Sequence, residues 1–283
     1  MNNFNNYLKK KKIIKDILRE EKVHMFFSLF NSKETSKLYF KKKNIPLGWH
    51  WLYFSDNFFL EETDSDGHQK RGAFFPKFKG CKRMFAGSEI IFLNNLALNS
   101  LSTKISQISK IENKSKNKKK IYFVTVKNTY KVKNKNVLIE NQKLVFIEKN
   151  YKSKKKIKEQ NEGYKVISKR NVCFNNVILF RYSAITYNSH RIHYDQEYTK
   201  KKEGYKDLLV HGPLLASYAL EQFRRMKNLN LESFKFKMLK PVNVNENVIF
   251  KILKNLENKK NFRITIVNKN SKEAKFVASC NIK

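Results

Sequence analysis

The stretch from residue 188 to residue 195 concentrates side chains that could transfer protons. All of its residues except Ile192 are polar or amphipathic, and they include Asn188, His190, Arg191, His193 and Asp195. An imidazole titrates near neutral pH, so a histidine in such a cluster suits acid/base catalysis. Further along, Val210-His211-Gly212-Pro213 has the composition of a helix start. The pattern predicts acid/base groups beside a helix N-terminus, whose unpaired N–H groups can stabilise developing negative charge.

The elements that would position these groups follow from the hydrophobic pattern. Alternation of aromatic, β-branched and small polar residues predicts a strand over 176–187 that leads into the cluster. A short helix near 195–202 and a longer, largely apolar helix from Pro213 to Met226 follow it. Further strands are expected at 231–240, 246–256, 261–268 and 275–282.

The first half of the chain shows a similar plan. Apolar residues at helical spacing predict an amphipathic helix over 10–30, and the aromatic-rich segment 45–60 predicts a short buried helix or irregular structure. Strands are expected at 88–93, 103–111, 121–132 and 137–148, with a charged hairpin tip at 113–120. A lysine-rich linker is expected at 149–161. A helix followed by antiparallel strands, seen twice, predicts two α+β units.

The charge balance is strongly basic, with 60 Lys and Arg against 24 Asp and Glu and a formal charge of +36. Such a balance would suit nucleic acid, an anionic membrane or a polyanionic ligand. The excess is nearly all lysine, accompanies abundant asparagine and runs through the whole chain. Compositional drift therefore explains most of it, and we expect neither a nucleic-acid nor a membrane partner. A basic RNA-binding protein is the non-enzyme alternative, although no RNP-like aromatic motif supports it.

The cysteines and histidines do not form a recognisable metal motif. Cys81, Cys173 and Cys280 are far apart, which indicates a reducing compartment without a disulfide framework. His190 and His193 are three residues apart, but no convincing third ligand is evident, so we predict no metal. No apolar run is long enough for a transmembrane helix. We expect a cytoplasmic protein, or one of the mitochondrial matrix in a eukaryote.

Four blocks of the sequence resemble MaoC-like hotdog-fold hydratases and dehydratases. They are Gly48–Phe54, Gly67–Gly72 with Arg83–Gly87, Phe180–Asp195 with Glu203–Tyr205 and Val210–Pro213, and Leu239–Pro241. Their order is similar to that of the two-hotdog branch, which contains mesaconyl-C4-CoA hydratase and the mitochondrial 3-hydroxyacyl-thioester dehydratase of type two. The resemblance implies a double hotdog, in which each antiparallel sheet wraps a central helix. It also implies a degenerate, non-catalytic unit at 1–150 and a catalytic unit at 162–283.

The resemblance further implies a hydro-lyase that adds water to, or removes it from, an enoyl thioester. His193 occupies the histidine position of the family's Asp-x4-His motif, and Asn188 stands where the aspartate is expected. An amide can orient water but cannot take its proton, so we assign proton transfer to His193. The Gly212 N–H is expected to bind the thioester oxygen.

Several further residues are candidates for substrate binding: His190, Arg191, His211, Arg71 and Arg83, with Lys240 as an additional cation for phosphates. The substrate would be an acyl-CoA or acyl-carrier thioester, with no separate cofactor. A dehydratase of fatty acid synthesis and a hotdog thioesterase are the alternative enzymes. Both a monomer with an internal pair of units and a homodimer fit the sequence.

Overall fold

The computed structural model describes residues 4–29, 43–116, 119–148, 151, 156–226 and 230–283. The strands are β1 (Lys11–Ile17), β2 (Cys81–Phe92), β3 (Leu101–Asn113), β4 (Ile121–Val132), β5 (Lys135–Glu148), β6 (Tyr164–Val172), β7 (Leu231–Met238), β8 (Val248–Asn255), β9 (Asn261–Asn268) and β10 (Ala274–Ile282). The helices are α1 (Asn5–Leu8), α2 (Glu20–Ser28), α3 (Asn176–Thr186), α4 (Gln196–Lys201) and α5 (Gly212–Met226). Single turns of 3-10 helix span Trp49–Leu52, Leu60–Glu62 and Arg191–His193.

All of these strands belong to one antiparallel sheet, in the order β1-β3-β4-β5-β2-β7-β10-β9-β8-β6. The first five come from the first half of the chain and the last five from the second half. The halves meet where β2 pairs with β7, from Gly87 opposite Lys237 to Ile91 opposite Ser233. The predicted α+β class is therefore confirmed, and continuous backbone hydrogen bonding joins the two halves.

Helix α5 is the central helix of the second half. Every residue from Leu214 to Phe223 is buried, as expected for a helix that is covered on all sides. Its aromatic residues pack edge-on against the sheet, with ring centroids 4.7 Å apart for Tyr218 and Phe250. Packing on every face fixes this helix, and with it the position of its N-terminus. No helix in the described part of the chain is long and apolar enough to span a membrane.

The first half is filled differently. The longest helix among its described residues is α2, with nine residues, which buries Val23, Phe26 and Phe27. The Phe26 ring packs edge-on against Trp49 at 4.5 Å, within the aromatic-rich segment that was predicted to form a short buried helix. Burial of each such ring contributes about 2–3 kcal/mol. Helix α2 and the turn Trp49–Leu52 cover one part of the sheet. Another part of its inner face lines a cavity.

Two predicted elements are wrong. The segment 176–187 is helix α3 and not a strand, because its buried residues Leu179, Tyr182 and Ser183 recur at helical spacing. The side chain of Asn175 caps this helix by accepting a hydrogen bond from the Ile178 N–H. The segment 10–30 is not one helix: strand β1 pairs with β3, and only α2 is helical.

The remaining strand predictions are confirmed within a few residues, except that β2 begins earlier, at Cys81, and that β6 was not anticipated. The predicted helices near 195–202 and from Pro213 are present as α4 and α5. The expected hairpin tip connects β3 to β4, although residues 117 and 118 lie outside the described residues. Of the predicted linker, residues 149, 150 and 152–155 also lie outside, and the rest has no regular structure.

Candidate active site

A cavity of about 1210 Å³ lies between the two halves of the molecule. The first half contributes the inner face of β2, β3 and β4 together with residues near 50–58 and 67–70. The second half contributes the end of α3, the loop that follows it and the start of α5. This volume exceeds the usual range of about 300–1,000 Å³ for small-molecule pockets, so the cavity can hold a long ligand.

His193 lies at the end of the 3-10 turn Arg191–His193 and is buried, with its ring facing the cavity. Its Nδ1 lies 2.8 Å from the Leu209 carbonyl oxygen, so the assigned tautomer places the proton on Nδ1 and leaves Nε2 as a base. Burial lowers the pKa of His193 to about 4, against a smaller opposing effect of the hydrogen bond to Leu209. At neutral pH this imidazole is therefore uncharged and able to accept a proton.

His211 supports His193 from behind. The two rings stack with centroids 3.6 Å apart and planes inclined by 20°. Nε2 of His211 lies 2.8 Å from the Ser183 hydroxyl, and the side chain is fully buried. Burial, followed by the nearby His193, holds the pKa of His211 well below its usual range. His211 was predicted to bind substrate, but it lies beneath His193 and fixes its position.

Asn188 begins the loop between α3 and His193. Its Oδ1 accepts a hydrogen bond of 3.0 Å from the His190 backbone N–H, which closes a tight local turn. The side chain also lines the cavity. With Oδ1 engaged, the Nδ2 group remains available as a donor. This arrangement supports the predicted role of Asn188 in orienting water, because a donor can hold the oxygen that His193 deprotonates.

Gly212 is the first residue of α5 and lines the same cavity. Its N–H belongs to the first turn, where backbone donors have no acceptor within the helix. A Cβ at this position would lie 2.6 Å from Cδ1 of Phe85 on β2. Glycine is thus required by close packing between the halves, and it leaves the N–H accessible to a ligand oxygen.

His190 is buried between His68 and His193, with ring centroids 3.9 Å and 5.4 Å away. Burial is the main cause that lowers the pKa of His190 well below its usual range, and the charge of Arg83 adds to it. His68 comes from the first half, so sequence spacing could not have revealed this contact. His68 belongs to one of the four blocks that resemble the family, but the sequence analysis assigned it no role.

Within the described ranges, Asp66, His68 and His190 form one group whose potential metal-ligating atoms lie within 4.8 Å of one another. The sequence considered only His190 with His193 and predicted no metal. One observation opposes a bound cation here, because the positive charge of Arg83 acts on His190.

The cationic candidates separate into two groups. Arg83 and Lys240 line the cavity, as a substrate-binding role requires. Arg71 and Arg191 do not contribute to its lining. Arg71 donates to the carbonyls of residues 78 and 81, and Arg191 donates to Asp195 and to the Ser65 carbonyl. These two guanidinium groups brace loops, and the structure gives no support to their predicted contact with substrate.

Comparisons with known proteins agree with this geometry. The sequence model of the family described as hydroxyacyl-thioester dehydratase type 2 matches residues 48–244. The mesaconyl-C(4)-CoA hydratase of Chloroflexus aurantiacus is 34% identical over 200 residues, which cover 70% of this chain and 71% of that protein. The match with the family covers the histidine loop, Gly212 and the loop that contains His68.

Solved structures show the fold. A MaoC-like dehydratase from Phytophthora capsici superposes with a TM-score of 0.74 at 12% identity, covering 99% of this chain and 98% of that one. A Mycobacterium tuberculosis protein with a double hotdog fold superposes with a TM-score of 0.63 at 10% identity, covering 99% and 97%. The predicted double hotdog is thereby confirmed. The chain belongs to the hydroxyacyl-thioester dehydratase type 2 family and is an enzyme of the hydro-lyase class.

Proposed function

We propose that the protein hydrates the double bond of an enoyl thioester, or catalyses the reverse dehydration, most nearly as a mesaconyl-C4-CoA hydratase does. The observation that carries the proposal is the neutral His193, with its free Nε2, in the same cavity as the Gly212 N–H. The reaction needs a base for water, a proton for the α-carbon and a donor to the enolate oxygen. No cofactor enters this scheme.

In the hydration direction, Asn188 Nδ2 donates to a water molecule and His193 Nε2 removes one of its protons. The water oxygen bonds to the β-carbon, and the electrons of the double bond move to the thioester oxygen, where the Gly212 N–H stabilises them. His193 then returns the proton from Nε2 to the α-carbon, and the carbonyl re-forms. A single residue thus acts as base and then acid, since Asn188 cannot take a proton.

We assign catalysis to the unit at 162–283, because Asn188, His193 and Gly212 all belong to it. The unit at 1–150 provides the opposite wall of the cavity, and Phe85 is its contact with Gly212. It has no catalytic role in this scheme, although it is needed to form the site. This division extends the predicted description of a degenerate unit.

The test is an assay with mesaconyl-CoA and crotonyl-CoA as substrates. The quantity measured is the ultraviolet absorbance of the conjugated thioester over time. The native protein is expected to lower this absorbance. His193→Ala is expected to reduce kcat by about 10²–10⁴-fold, the usual contribution of a general acid/base. His24→Ala, at an exposed position of α2, is the matched control and is expected to behave as the native protein.

A parallel measurement of free thiol distinguishes hydration from thioester hydrolysis. Release of CoA at the rate of the absorbance change would identify a thioesterase and refute the proposal. Unchanged absorbance with both substrates, or an absorbance change that survives His193→Ala, would also refute it.

A further inference from the structure

One part of the cavity wall in the first half is more polar than an aliphatic acyl chain requires, beside apolar side chains such as Val126 and Leu144. We call it the polar recess and define it by the cavity-lining residues His50, Trp51, Lys104, Ser106, Asn128 and Tyr130. The His50 ring lies 4.6 Å from Trp51 and 5.0 Å from Tyr130, so these side chains are contiguous. Ligand pockets are lined mostly by apolar side chains, and the few polar groups in them fix the orientation of polar parts of the ligand. The recess therefore indicates a polar group on the ligand.

A buried carboxylate, Glu140, lies behind the recess. Its Oε1 accepts from Trp51 Nε1 and Ser88 Oγ at 3.0 and 2.8 Å, and its Oε2 accepts from Asn128 Nδ2 and the Tyr130 hydroxyl at 3.2 and 2.9 Å. Burial alone would raise the pKa of Glu140, but the hydrogen bonds and neighbouring charges outweigh it and lower the pKa to about 2. Four donors saturate an ionised carboxylate.

Lys104 projects into the recess without a direct counter-ion. Among the described residues its ammonium group makes no hydrogen bond or ion pair, and its recorded contact is the Tyr130 ring, with the centroid 5.9 Å away. Its four donors fill the acceptor positions of Glu140, so the charge of this carboxylate acts on Lys104 without a direct contact. Asp56, the other acid whose charge acts on Lys104, is bonded to Lys12.

An under-solvated cation is costly unless an anion accompanies it. Burial is the main cause that lowers the pKa of Lys104, which shows that its surroundings solvate the charge poorly. Ser106 and Asn128 do not relieve this, because Ser106 Oγ donates to Asn128 Oδ1 at 2.7 Å and Asn128 Nδ2 donates to Glu140. An anionic ligand group would give the Lys104 ammonium a direct partner, which the more distant charges of Glu140 and Asp56 do not provide.

We propose that the polar recess binds a carboxylate carried by the acyl group, with the Lys104 ammonium as its counter-ion. The inference rests on the proposed function, because it takes this cavity as the acyl site. It makes Lys104 a specificity-determining residue that selects thioesters of dicarboxylic acids over simple acyl thioesters of equal length. His193 and Lys104 lie in different halves, so chemistry and selection are separated in the fold.

The test measures binding of saturated CoA thioesters by titration calorimetry, because a saturated chain cannot be hydrated. The ligands are used in pairs of equal chain length, one ending in a methyl group and the other in a carboxylate. Chain lengths of about four to ten carbons sample the depth of the cavity. For at least one chain length we expect the carboxylate form to bind about tenfold or more tightly, the effect of pairing one partly buried charge. Lys104→Met should abolish that preference, and Lys104→Arg should keep most of it.

Lys127→Met is the matched control, since Lys127 is exposed on β4. Its preference for the carboxylate form should equal that of the native protein. Thermal unfolding checks the fold of each variant, and Lys104→Met should remain folded because the ammonium makes no direct hydrogen bond or ion pair with the described residues. Equal affinity for both members of every pair, or an equal weakening of both by Lys104→Met, would overturn the proposal.

The outcomes separate this inference from the proposed function. If the protein hydrates crotonyl-CoA but shows no preference for carboxylate-terminated ligands, only the proposed role of the polar recess is refuted. A carboxylate preference that depends on Lys104, in a protein that hydrates no enoyl thioester, would refute only the proposed reaction.

Discussion

His193 is a histidine whose surroundings keep it uncharged. Its Nδ1–H is fixed on the Leu209 carbonyl, the His211 ring covers one face, and burial lowers its pKa to about 4. An imidazole with so low a pKa is a weak base towards water. Once protonated, however, it is a strong acid and gives its proton readily to the α-carbon. This favours the proton delivery that a one-residue mechanism requires.

Asn188→Asp tests whether the amide faces the same water as His193. Aspartate can keep the hydrogen bond from the His190 N–H, and its charge should raise the pKa of His193 by about one unit. The acid limb of kcat/KM should therefore move upward by about one pH unit, as measured over the acid range. Asn188→Ala, which lacks both donor and charge, should lower kcat without moving the limb. If the acid limb of kcat/KM does not move in Asn188→Asp, the side chain at position 188 does not lie close enough to His193 to act on the same water.

The catalytic residues assigned from the sequence all lie in the second half of the chain, while Arg83 of the first half was assigned from its charge and its position in a resembling block. Asn188, His193 and Gly212 belong to short blocks whose order resembles a known family, and the structure places all three on one cavity. His68 and Lys104 could not be assigned roles in this way. They reach the site from the first half, and only the packing of the two halves brings them there.

At the scale of elements, two loops from different halves hold the site together. The Ser189 hydroxyl donates to the Gly67 carbonyl at 2.5 Å, and the Arg191 N–H donates to the Asp66 carbonyl at 2.9 Å. Gly67 has a φ of +88°, and a Cβ there would overlap the Ser189 carbonyl oxygen. The loop that carries His193 is therefore positioned against a backbone that has no room for a side chain.

Gly67→Ala is expected to displace the catalytic loop, and Gly80→Ala provides a matched control. Gly80 has a similar φ of +75°, but nothing lies within 4 Å of its potential Cβ. Both variants should lose about 1 kcal/mol from backbone strain. Only Gly67→Ala should also lower kcat, as measured in the hydration assay at saturating substrate. Equal kcat in the two variants would show that the contact between the loops does not position His193.

The wrong element predictions have identifiable physical causes. Helix α3 has apolar residues on both faces, with Val177 and Phe180 exposed at 56% and 67%, so the helical period of its buried residues was obscured. In β1, Ile13, Ile14 and Ile17 fit a helical spacing by chance, and pairing with β3 decides the outcome. The strands with clear alternation and helix α5 were predictable because one period dominates each of them.

At the scale of the whole molecule, the site exists only because the two halves form one sheet. The pairing of β2 with β7 holds Phe85 against Gly212 and closes the cavity. A second consequence is that three histidines from one region, His190, His193 and His211, become buried together, and burial is the main cause that lowers the pKa of each. Catalytic geometry and acid stability are therefore linked.

This linkage predicts how His193 makes stability depend on pH. In the unfolded chain a histidine has a pKa near 6.5, so between about pH 6.5 and 4 the unfolded state binds more protons, and stability is lost as the pH is lowered through this range. From pH 7 to 5, His193 alone should cost about 2 kcal/mol of unfolding free energy. Glu221, whose pKa burial raises to about 7, changes stability in the opposite direction over the same range.

The measurement is therefore a difference between variants. Chemical unfolding at pH 7 and pH 5 should show that His193→Gln, which can still donate to the Leu209 carbonyl, loses about 2 kcal/mol less than the native protein. Glu221 and the other histidines are present in both proteins and largely cancel. Equal losses would mean that folding does not lower the pKa of His193, which would contradict the burial of an uncharged imidazole at this position.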